Sequence, residues 1–220
     1  MTVVLMLLMF SIFLVADYFL RRKPLPAQAT VLEHPIPKMI PSVVAGFQMP
    51  ENLSYHPGHT WALRESPNLV RVGIDDFASR LTGKIDSVML PQRGQWIRQG
   101  QKFLTVFHNG QSAAMVSPIE GTVADVNSAA LQNPDAARKD PYGDGWLVKV
   151  DSPDAKTNFR NLLNGSLARS WMEDTALHLR IMMSPTAAVL AQDGGVAMDN
   201  LTAHLTGEEW SRVAKEFFLA

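Results

Sequence analysis

The chain has 220 residues, of which 46% are hydrophobic, enough for one domain of ordinary size with extensions. Its formal net charge of -1 gives no reason to expect a nucleic-acid partner, because nucleic acids select proteins with a basic face. The chain has no cysteine, which excludes disulfides, thiolate metal sites and a thiol nucleophile.

The first 20 residues differ from the rest in hydropathy. Residues 3–16 are apolar apart from Ser11, and the basic residues 21–23 follow after Tyr18 and Phe19. A transmembrane helix needs about 20 mostly apolar residues, and aromatic residues beside a basic cluster are typical of a membrane interface. We therefore predict a single-pass membrane anchor over residues 1–20.

A cleaved signal peptide is the alternative, because Ala27-Gln28-Ala29 fits a small-x-small cleavage pattern. A signal peptide carries its positive charges before the apolar stretch, whereas here none precede it and three follow. A buried or interfacial helix is a third possibility. The flanking charges favour the anchor, and the positive-inside rule then places the rest of the chain in the cytoplasm.

Residues 21–52 are predicted to form a linker. Proline fixes φ and removes a backbone donor, so a proline-rich stretch is extended and semi-rigid. Six of the 14 prolines lie here: Pro24, Pro26, Pro35, Pro37, Pro41 and Pro50.

Residues 53–151 alternate short apolar runs with turn residues, which predicts a small β-sandwich or barrel. Residues 61–63 and 69–74 are strand candidates around a Ser66-Pro67-Asn68 turn. Residues 75–81 and 129–138 are predicted to be helical. The remaining strand candidates are 84–90, 95–99, 122–126 and 146–150.

The clearest hairpin spans residues 102–116, with Asn109-Gly110 at its tip. Asn-Gly is a strong hairpin signal, because a type I′ turn needs positive φ at both central residues. Pairing across this turn places His108 opposite Gln111 and Phe107 opposite Ser112.

Residues 152–220 are predicted to be a mostly helical extension. A short helix over 157–163 ends at Gly165, and Ser166 begins a second helix that runs to about residue 181. Asp193-Gly194 indicates a small hairpin over 189–198. In the final helix, Thr206 and Glu209 have capping-box spacing. Its apolar face comprises Trp210, Val213, Ala214, Phe217 and Phe218.

Several motifs resemble the H protein of the glycine cleavage system. Residues 140–150 read DPYGDGWLVKV, which departs from the family's usual DPYGEGWLVKI only at Asp144 and Val150. The weaker matches are His59-Thr60-Trp61, VGIDDFA at 72–78, GKI at 83–85, SPIEGTV at 117–123, Asn127 and Asn133-Pro134. The resemblance covers residues 53–151 and implies a flattened β-barrel or sandwich with peripheral helices.

The family presents a lipoyl-lysine at a hairpin tip, and counting back without a gap from Ser117-Pro118 places that position on Gly110. The family's preceding Glu-Ser-Val falls on Phe107-His108-Asn109, and no lysine occurs between Lys102 and Lys139. Lipoylation forms an amide with a lysine ε-amine, which glycine does not have. The resemblance therefore implies an H-protein-like domain without its lipoyl cofactor.

Other candidate residues carry weaker signals. His56 and His59 lack further ligands at matching spacing, so we expect a loop or packing role and no metal site. His108 is expected to be exposed and without a catalytic partner. Asp75-Asp76, Asp140 and Asp144 are expected in turns and caps, and Trp146 in the core. No nucleophile–base pair is evident, so we predict no catalytic site.

The sequence thus predicts a membrane-anchored, non-enzymatic module that binds a protein partner through its hairpin tip or C-terminal helices. The alternative is a lipoyl carrier of a glycine cleavage-type or other membrane-associated redox system, modified at a position other than that of the family.

Overall fold

The computed structural model describes Met6, Met9 and residues 39–183 and 205–219. Pro37–Ala220 form one compact unit, and Met1–Ile36 form another, in which the two described methionines are helical. The anchor predicted over residues 1–20 otherwise lies outside the described residues, as does the hairpin predicted over 189–198. None of the helices in the described part of the chain is both long and apolar enough to cross a bilayer.

The strands of the described residues form three antiparallel sheets. Their bounds are β1 Val43–Val44, β2 Phe47–Gln48, β3 Ser54–His56, β4 Thr60–Arg64, β5 Leu69–Ile74, β6 Ser87–Met89, β7 Trp96–Ile97, β8 Lys102–His108, β9 Gln111–Val116, β10 Gly121–Val126 and β11 Val148–Asp151. A β1–β2 pair stands alone, six strands follow the order β3-β4-β5-β11-β10-β7, and three follow the order β6-β8-β9.

Helices lie between and after these strands. Their bounds are α1 Asp76–Thr82, α2 Ser128–Gln132, α3 Pro134–Lys139, α4 Ala155–Phe159, α5 Gly165–Met182 and α6 Gly207–Phe218. The single helical stretch predicted over 129–138 is thus two helices. Pro134 has no N–H to continue α2, and it occupies the first position of α3, where the missing donor costs nothing.

The two larger sheets share one core with the helices around it. Trp61 and Val148 of the six-stranded sheet and Leu104 and Met115 of the three-stranded sheet belong to one cluster of buried residues. Trp61 also donates from Nε1 to the carbonyls of Ile74 and Pro141, at 2.8 and 3.1 Å. The predicted mainly β sandwich with peripheral helices is confirmed.

Gly73 is the position where close packing requires glycine. A Cβ there would lie 2.6 Å from the Trp61 ring on the neighbouring strand. The glycine therefore lets the indole lie flat against β5 and fill the centre of the core.

The folded unit begins before the predicted boundary at residue 53. β1 and β2 lie within the predicted linker, and Val44 and Phe47 belong to the core. Ala45 and Gly46, both with positive φ, reverse the chain between the two strands. The prediction of an extended segment over 39–52 is wrong because apolar burial outweighs the proline content there.

The start of the C-terminal extension also differs from its prediction. Leu163 exchanges two backbone hydrogen bonds with Tyr55, each 2.8 Å long, so α4 ends at Phe159. Gly165 begins α5 rather than ending a helix, and Asn164 rather than Ser166 precedes the first turn. A pairing with a residue far away in the sequence decides these boundaries, and local propensity cannot reveal it.

Candidate functional site at the hairpin tip

The tip of the β8–β9 hairpin has the predicted geometry. Asn109 and Gly110 have φ values of 46° and 77°, as a type I′ turn requires. His108 pairs with Gln111 and Phe107 with Ser112, which is the predicted register. The Asn-Gly pair therefore makes a tight turn without strain, because asparagine and glycine both tolerate positive φ.

Gly110 stands in open space at the end of this hairpin. It is exposed, and a Cβ built on it would meet no atom within 4 Å. Packing therefore does not require a glycine at this position, and only the backbone conformation favours it.

The loop between α1 and β6 braces the tip from one side. The Asp86 carboxylate accepts a hydrogen bond from the Asn109 amide at 2.8 Å, and the Asp86 amide donates to the Phe107 carbonyl at 2.9 Å. His108 Nδ1 donates to the Lys84 carbonyl at 2.5 Å, and Asn109 Nδ2 donates to His108 Nε2 at 3.0 Å. The Nδ1–H tautomer of a neutral imidazole satisfies both bonds.

This arrangement corrects two predictions. His108 is half-buried rather than exposed, because the loop and α6 both contact it. An exposed lysine, Lys84, lies beside the tip in space although it is 26 positions from Gly110 in sequence. Sequence counting along the hairpin alone could not find it. We call the residues Lys84, Asp86, Asn109, Gly110 and Gln111 the tip surface.

Helix α6 lies along the other side of the hairpin. At its start, Ser211 Oγ donates to Gln111 Oε1 at 2.9 Å, and the rings of Trp210 and His108 are 5.9 Å apart. At its end, a Cβ on Gly58 would lie 2.9 Å from the Val116 side chain and 3.1 Å from the Phe218 carbonyl. The helix thus follows β9 from Gln111 to Val116 and covers this edge strand of its sheet.

The apolar face of α6 is fully used in this packing. The predicted capping box between Thr206 and Glu209 is present, with both hydrogen bonds made. All five residues of the predicted stripe are buried: Trp210, Val213, Ala214, Phe217 and Phe218. The stripe is therefore covered by the domain itself and is not available as a docking surface.

A buried histidine–carboxylate pair lies beneath α6. His59 Nδ1 and Asp75 Oδ2 are 2.8 Å apart, and both side chains are at most 1% exposed. The His59 ring stacks on Phe77 at 4.2 Å and lies within 6.5 Å of the rings of Phe217 and Phe218. The packing role expected for His59 is present, and its carboxylate partner, Asp75, directly follows the last residue of β5.

Asp75 serves local structure as well as this pair. Its second oxygen accepts from the Ala78 amide at 2.8 Å, which makes it the N-cap of α1, as predicted. Asp140 likewise closes a turn by accepting from the Gly143 and Asp144 amides at 3.1 and 2.9 Å. These contacts place Asp75 and Asp140 in the cap and turn roles that the sequence predicts.

Burial also perturbs neighbouring titratable groups. Desolvation raises the pKa of Asp76, although bonds from the Gln48 amide and Arg80 oppose the shift. Desolvation lowers the pKa of His56, with a smaller contribution from the charge of His59. Within the described ranges, no group of three or more histidine, aspartate or glutamate residues could hold a metal ion.

Comparisons with known proteins agree with the motifs. The family model described as glycine cleavage H-protein matches residues 53–175, more than half of the chain. A probable glycine cleavage system H protein 2 from Sulfurisphaera tokodaii is 34% identical over 132 residues, which are 58% of this chain and 87% of that protein. The glycine cleavage system H protein of Anaeromyxobacter sp. is 31% identical over 127 residues, 58% of this chain and 98% of that protein.

A solved structure of a glycine cleavage system H protein from Mycobacterium marinum is 30% identical, with 48% of this chain and 87% of that chain covered and a TM-score of 0.45. The family match extends past residue 151 into α5, so part of the extension belongs to the family region. On the match to its family model and the identity to these relatives, the chain belongs to the glycine cleavage H-protein family.

Proposed function

We propose that this chain is a membrane-tethered member of the H-protein family that carries no lipoyl group and acts by binding a protein partner. The observation that supports this is the Asn109-Gly110 turn at the tip. In an alignment without gaps, Gly110 stands at the position of the family's lipoyl-lysine, and it has no side-chain amine. The hairpin residues nearest the turn in sequence, His108, Asn109 and Gln111, offer no primary amine either, so the lipoyl group does not fit the turn.

The tip surface is the candidate contact for the partner. Four of its five residues are exposed, and the hydrogen bonds of Asp86 and the backbone hold the turn in one conformation. A surface ordered before binding loses less conformational entropy when it meets a partner. The tip can therefore act as a small rigid recognition element without performing chemistry.

Membrane tethering rests on the apolar residues 3–16 and the basic cluster 21–23 that follows them. The proposal places the domain in the cytoplasm on a single-pass anchor. Alkaline carbonate should leave the chain in the membrane fraction, and protease added to right-side-out vesicles should not cleave the domain. Release by carbonate, or cleavage of the domain from outside, would contradict the topology.

The first experiment is the intact mass of the protein purified from its native membrane. The proposal predicts an unmodified chain that retains residues 1–20. A lipoyl mass mapped to any lysine would refute the non-lipoylated module. Loss of the first 29 residues, ending at Ala29, would instead identify a cleaved signal peptide.

A gain-of-function variant tests whether Gly110 occupies the family position. Gly110→Lys, produced together with a lipoate ligase and lipoate, should acquire a lipoyl group. Gly94→Lys is the matched control, because Gly94 also has positive φ and open space around it, on a different turn. Equal modification of both variants, or of neither, would contradict the assignment.

Partner binding is tested by crosslinking the full-length chain in its native membrane. Gly110→Asp should lose the crosslinked partner, whereas Gly165→Asp, at another exposed glycine with positive φ and open space around it, should retain it. Retention of the partner by both variants would remove the tip surface from the proposal.

Lys84 favours a specific form of the alternative function, a lipoyl carrier. This lysine is exposed, and its carbonyl is bonded to His108 beside the tip. If native protein carries a lipoyl group, Lys84→Arg should abolish it, while Lys139→Arg, at another exposed lysine, should not. Modification that survives Lys84→Arg would exclude this carrier.

A further inference from the structure

A basic segment with an exposed tryptophan lies at the end of the hairpin opposite the tip. Residues 92–102 contain Arg93, Arg98 and Lys102 and no carboxylate, and all three cations are exposed. Trp96, on β7, is 47% exposed. We call Arg93, Trp96, Arg98 and Lys102 the base patch.

The backbone of this segment is well held. Gln95 and Gln101 close two successive tight turns by accepting hydrogen bonds from the Gln92 and Arg98 amides, at 3.1 and 3.2 Å. Between the turns, Ile97 is buried, so its neighbours Trp96 and Arg98 point to the outer face of the strand. The tryptophan is therefore presented to solvent by a fixed backbone.

The base patch also has unbalanced charge. Among the described residues, no carboxylate lies within ion-pairing distance of Arg93, Arg98 or Lys102. The neighbouring strand β10 carries Asp125, which lies opposite Lys149 of β11, and neither it nor Glu120 in the turn before β10 forms an ion pair with these cations. Unpaired cations around an exposed indole match an anionic lipid surface, where tryptophan prefers the interface and basic residues attract headgroups.

We infer that the base patch docks on the anionic headgroups of the bilayer and orients the domain with its tip surface away from the membrane. The inference rests on the proposed membrane tether. Residues 21–38 can span at most about 65 Å when fully extended, so a tethered domain stays within reach of the bilayer at high effective concentration. β8 then runs from Lys102 at the membrane to His108, about 20 Å farther out.

This orientation presents the tip surface to soluble partners. If the tip faced the lipid instead, the tip surface would be inaccessible to a protein. Docking by the base patch thus sets the orientation of the tethered domain, because it determines that the tip surface faces the soluble partners.

Quenching of tryptophan fluorescence by brominated lipid tests the inference. The full-length chain is placed in nanodiscs of phosphatidylcholine with and without phosphatidylglycerol, with the acyl chains brominated. We expect quenching in the anionic discs that falls by at least half in Trp96→Phe and in the neutral discs. Trp146→Phe is the control and should keep the quenching, since Trp146 lies beside Lys149 on β11 and outside the base patch.

A charge variant separates electrostatic docking from apolar adsorption. Arg93→Gln, Arg98→Gln and Lys102→Gln together should reduce the quenching as Trp96→Phe does. Lys139→Gln, Arg180→Gln and Arg212→Gln, which remove three exposed cations on helices α3, α5 and α6, should not. Equal effects of the two triple variants would overturn the assignment to the base patch.

The same measurement distinguishes this inference from the membrane anchor. A chain that inserts into the discs without quenching at Trp96 retains the anchor and overturns the docking. A chain that fails to insert overturns the anchor, and brominated anionic vesicles then replace the discs. Quenching of Trp96 on those vesicles supports docking by the base patch, and its absence overturns it.

Discussion

The two sides of the β8–β9 hairpin are held by different physical means. On one side, α6 buries five apolar residues along β9, and its polar contact with the hairpin is a hydrogen bond from Ser211 to Gln111. On the other side, the loop at Lys84 and Asp86 makes hydrogen bonds to the turn while its own side chains stay exposed. The first side contributes stability, and the second controls the conformation of the tip.

This difference indicates which side of the hairpin is available to a binding partner. Apolar burial leaves no surface for a partner, whereas a hydrogen-bonded turn exposes its side chains in one fixed arrangement. Variants on the two sides should therefore separate stability from binding, and the following predictions run from the largest expected effect to the smallest.

The largest effect is expected for Phe218→Ala on the α6 side. Phe218 is 1% exposed and lies near the His59 ring, so its removal leaves a cavity and should lower the free energy of unfolding by about 3–5 kcal/mol. Urea unfolding measures the loss. Leu167→Ala, at a residue that is 62% exposed, is the control and should change it by less than about 0.5 kcal/mol. Similar values for the two variants would show that α6 does not pack on the domain.

A smaller effect is expected at the tip. Gly110→Ala places a Cβ on a residue with φ of 77° and should lower the free energy of unfolding by about 1–2 kcal/mol. Because no neighbour is displaced, the loss reports backbone strain alone. Asn109→Gly is the control, because glycine readily adopts the positive φ of position 109. It should not lower the free energy of unfolding by an amount comparable to that of Gly110→Ala. A loss as large as that of Phe218→Ala would remove the contrast between the two sides.

The start of α6 should show an effect of about 1 kcal/mol. Thr206→Ala removes the N-cap hydroxyl, which accepts a hydrogen bond from the Glu209 amide and donates one to the Glu209 carboxylate. The Thr206 backbone amide, which donates to the Glu209 carboxylate at 2.9 Å, and then the Thr206 hydroxyl hold the pKa of Glu209 below its ordinary value. The variant keeps the amide and loses the hydroxyl, so it should raise this pKa part of the way, as carbon-detected NMR titration can measure. Thr206→Ser keeps the hydroxyl and should retain both properties. An unchanged Glu209 titration in Thr206→Ala would contradict the capping box.

The smallest expected effect is a pH dependence at α1, which α6 contacts. Desolvation raises the pKa of Asp76 above its ordinary 3.8, so the folded state takes up this proton before the unfolded state does. As pH falls through the raised pKa, wild type should gain stability relative to Asp76→Asn, and the gain should be complete below about pH 3.8. Urea unfolding at a series of pH values measures this difference. A gain in the opposite direction would show that Arg80 and Gln48 outweigh burial.

Much of the fold follows from local pattern. The Asn109-Gly110 turn, the strand register beside it, the Asp75 cap and the α6 capping box each depend on residues within a few positions of one another. The pairing of Leu163 with Tyr55, the burial of Phe47 and the contact of Asp75 with His59 all join distant parts of the chain. One sequence read locally carries no signal for such contacts, so those boundaries and partners were mispredicted or missed.

The candidate site shows the same division. The absence of an amine at Gly110 is a property of the sequence, since no fold can supply a side chain that the residue lacks. The presence of Lys84 beside the tip is a property of the tertiary structure, because a hydrogen bond from His108 brings that loop to the turn.

By itself, the sequence determined the family motifs, the turn at the tip and the apolar stripe of α6. Only the tertiary structure decided that the stripe packs along β9, that His59 and Asp75 share a buried contact, and that the tip and the base patch lie at opposite ends of one hairpin. The physical reason is that composition and periodicity specify which surfaces must be buried, whereas chain topology specifies which surface buries which.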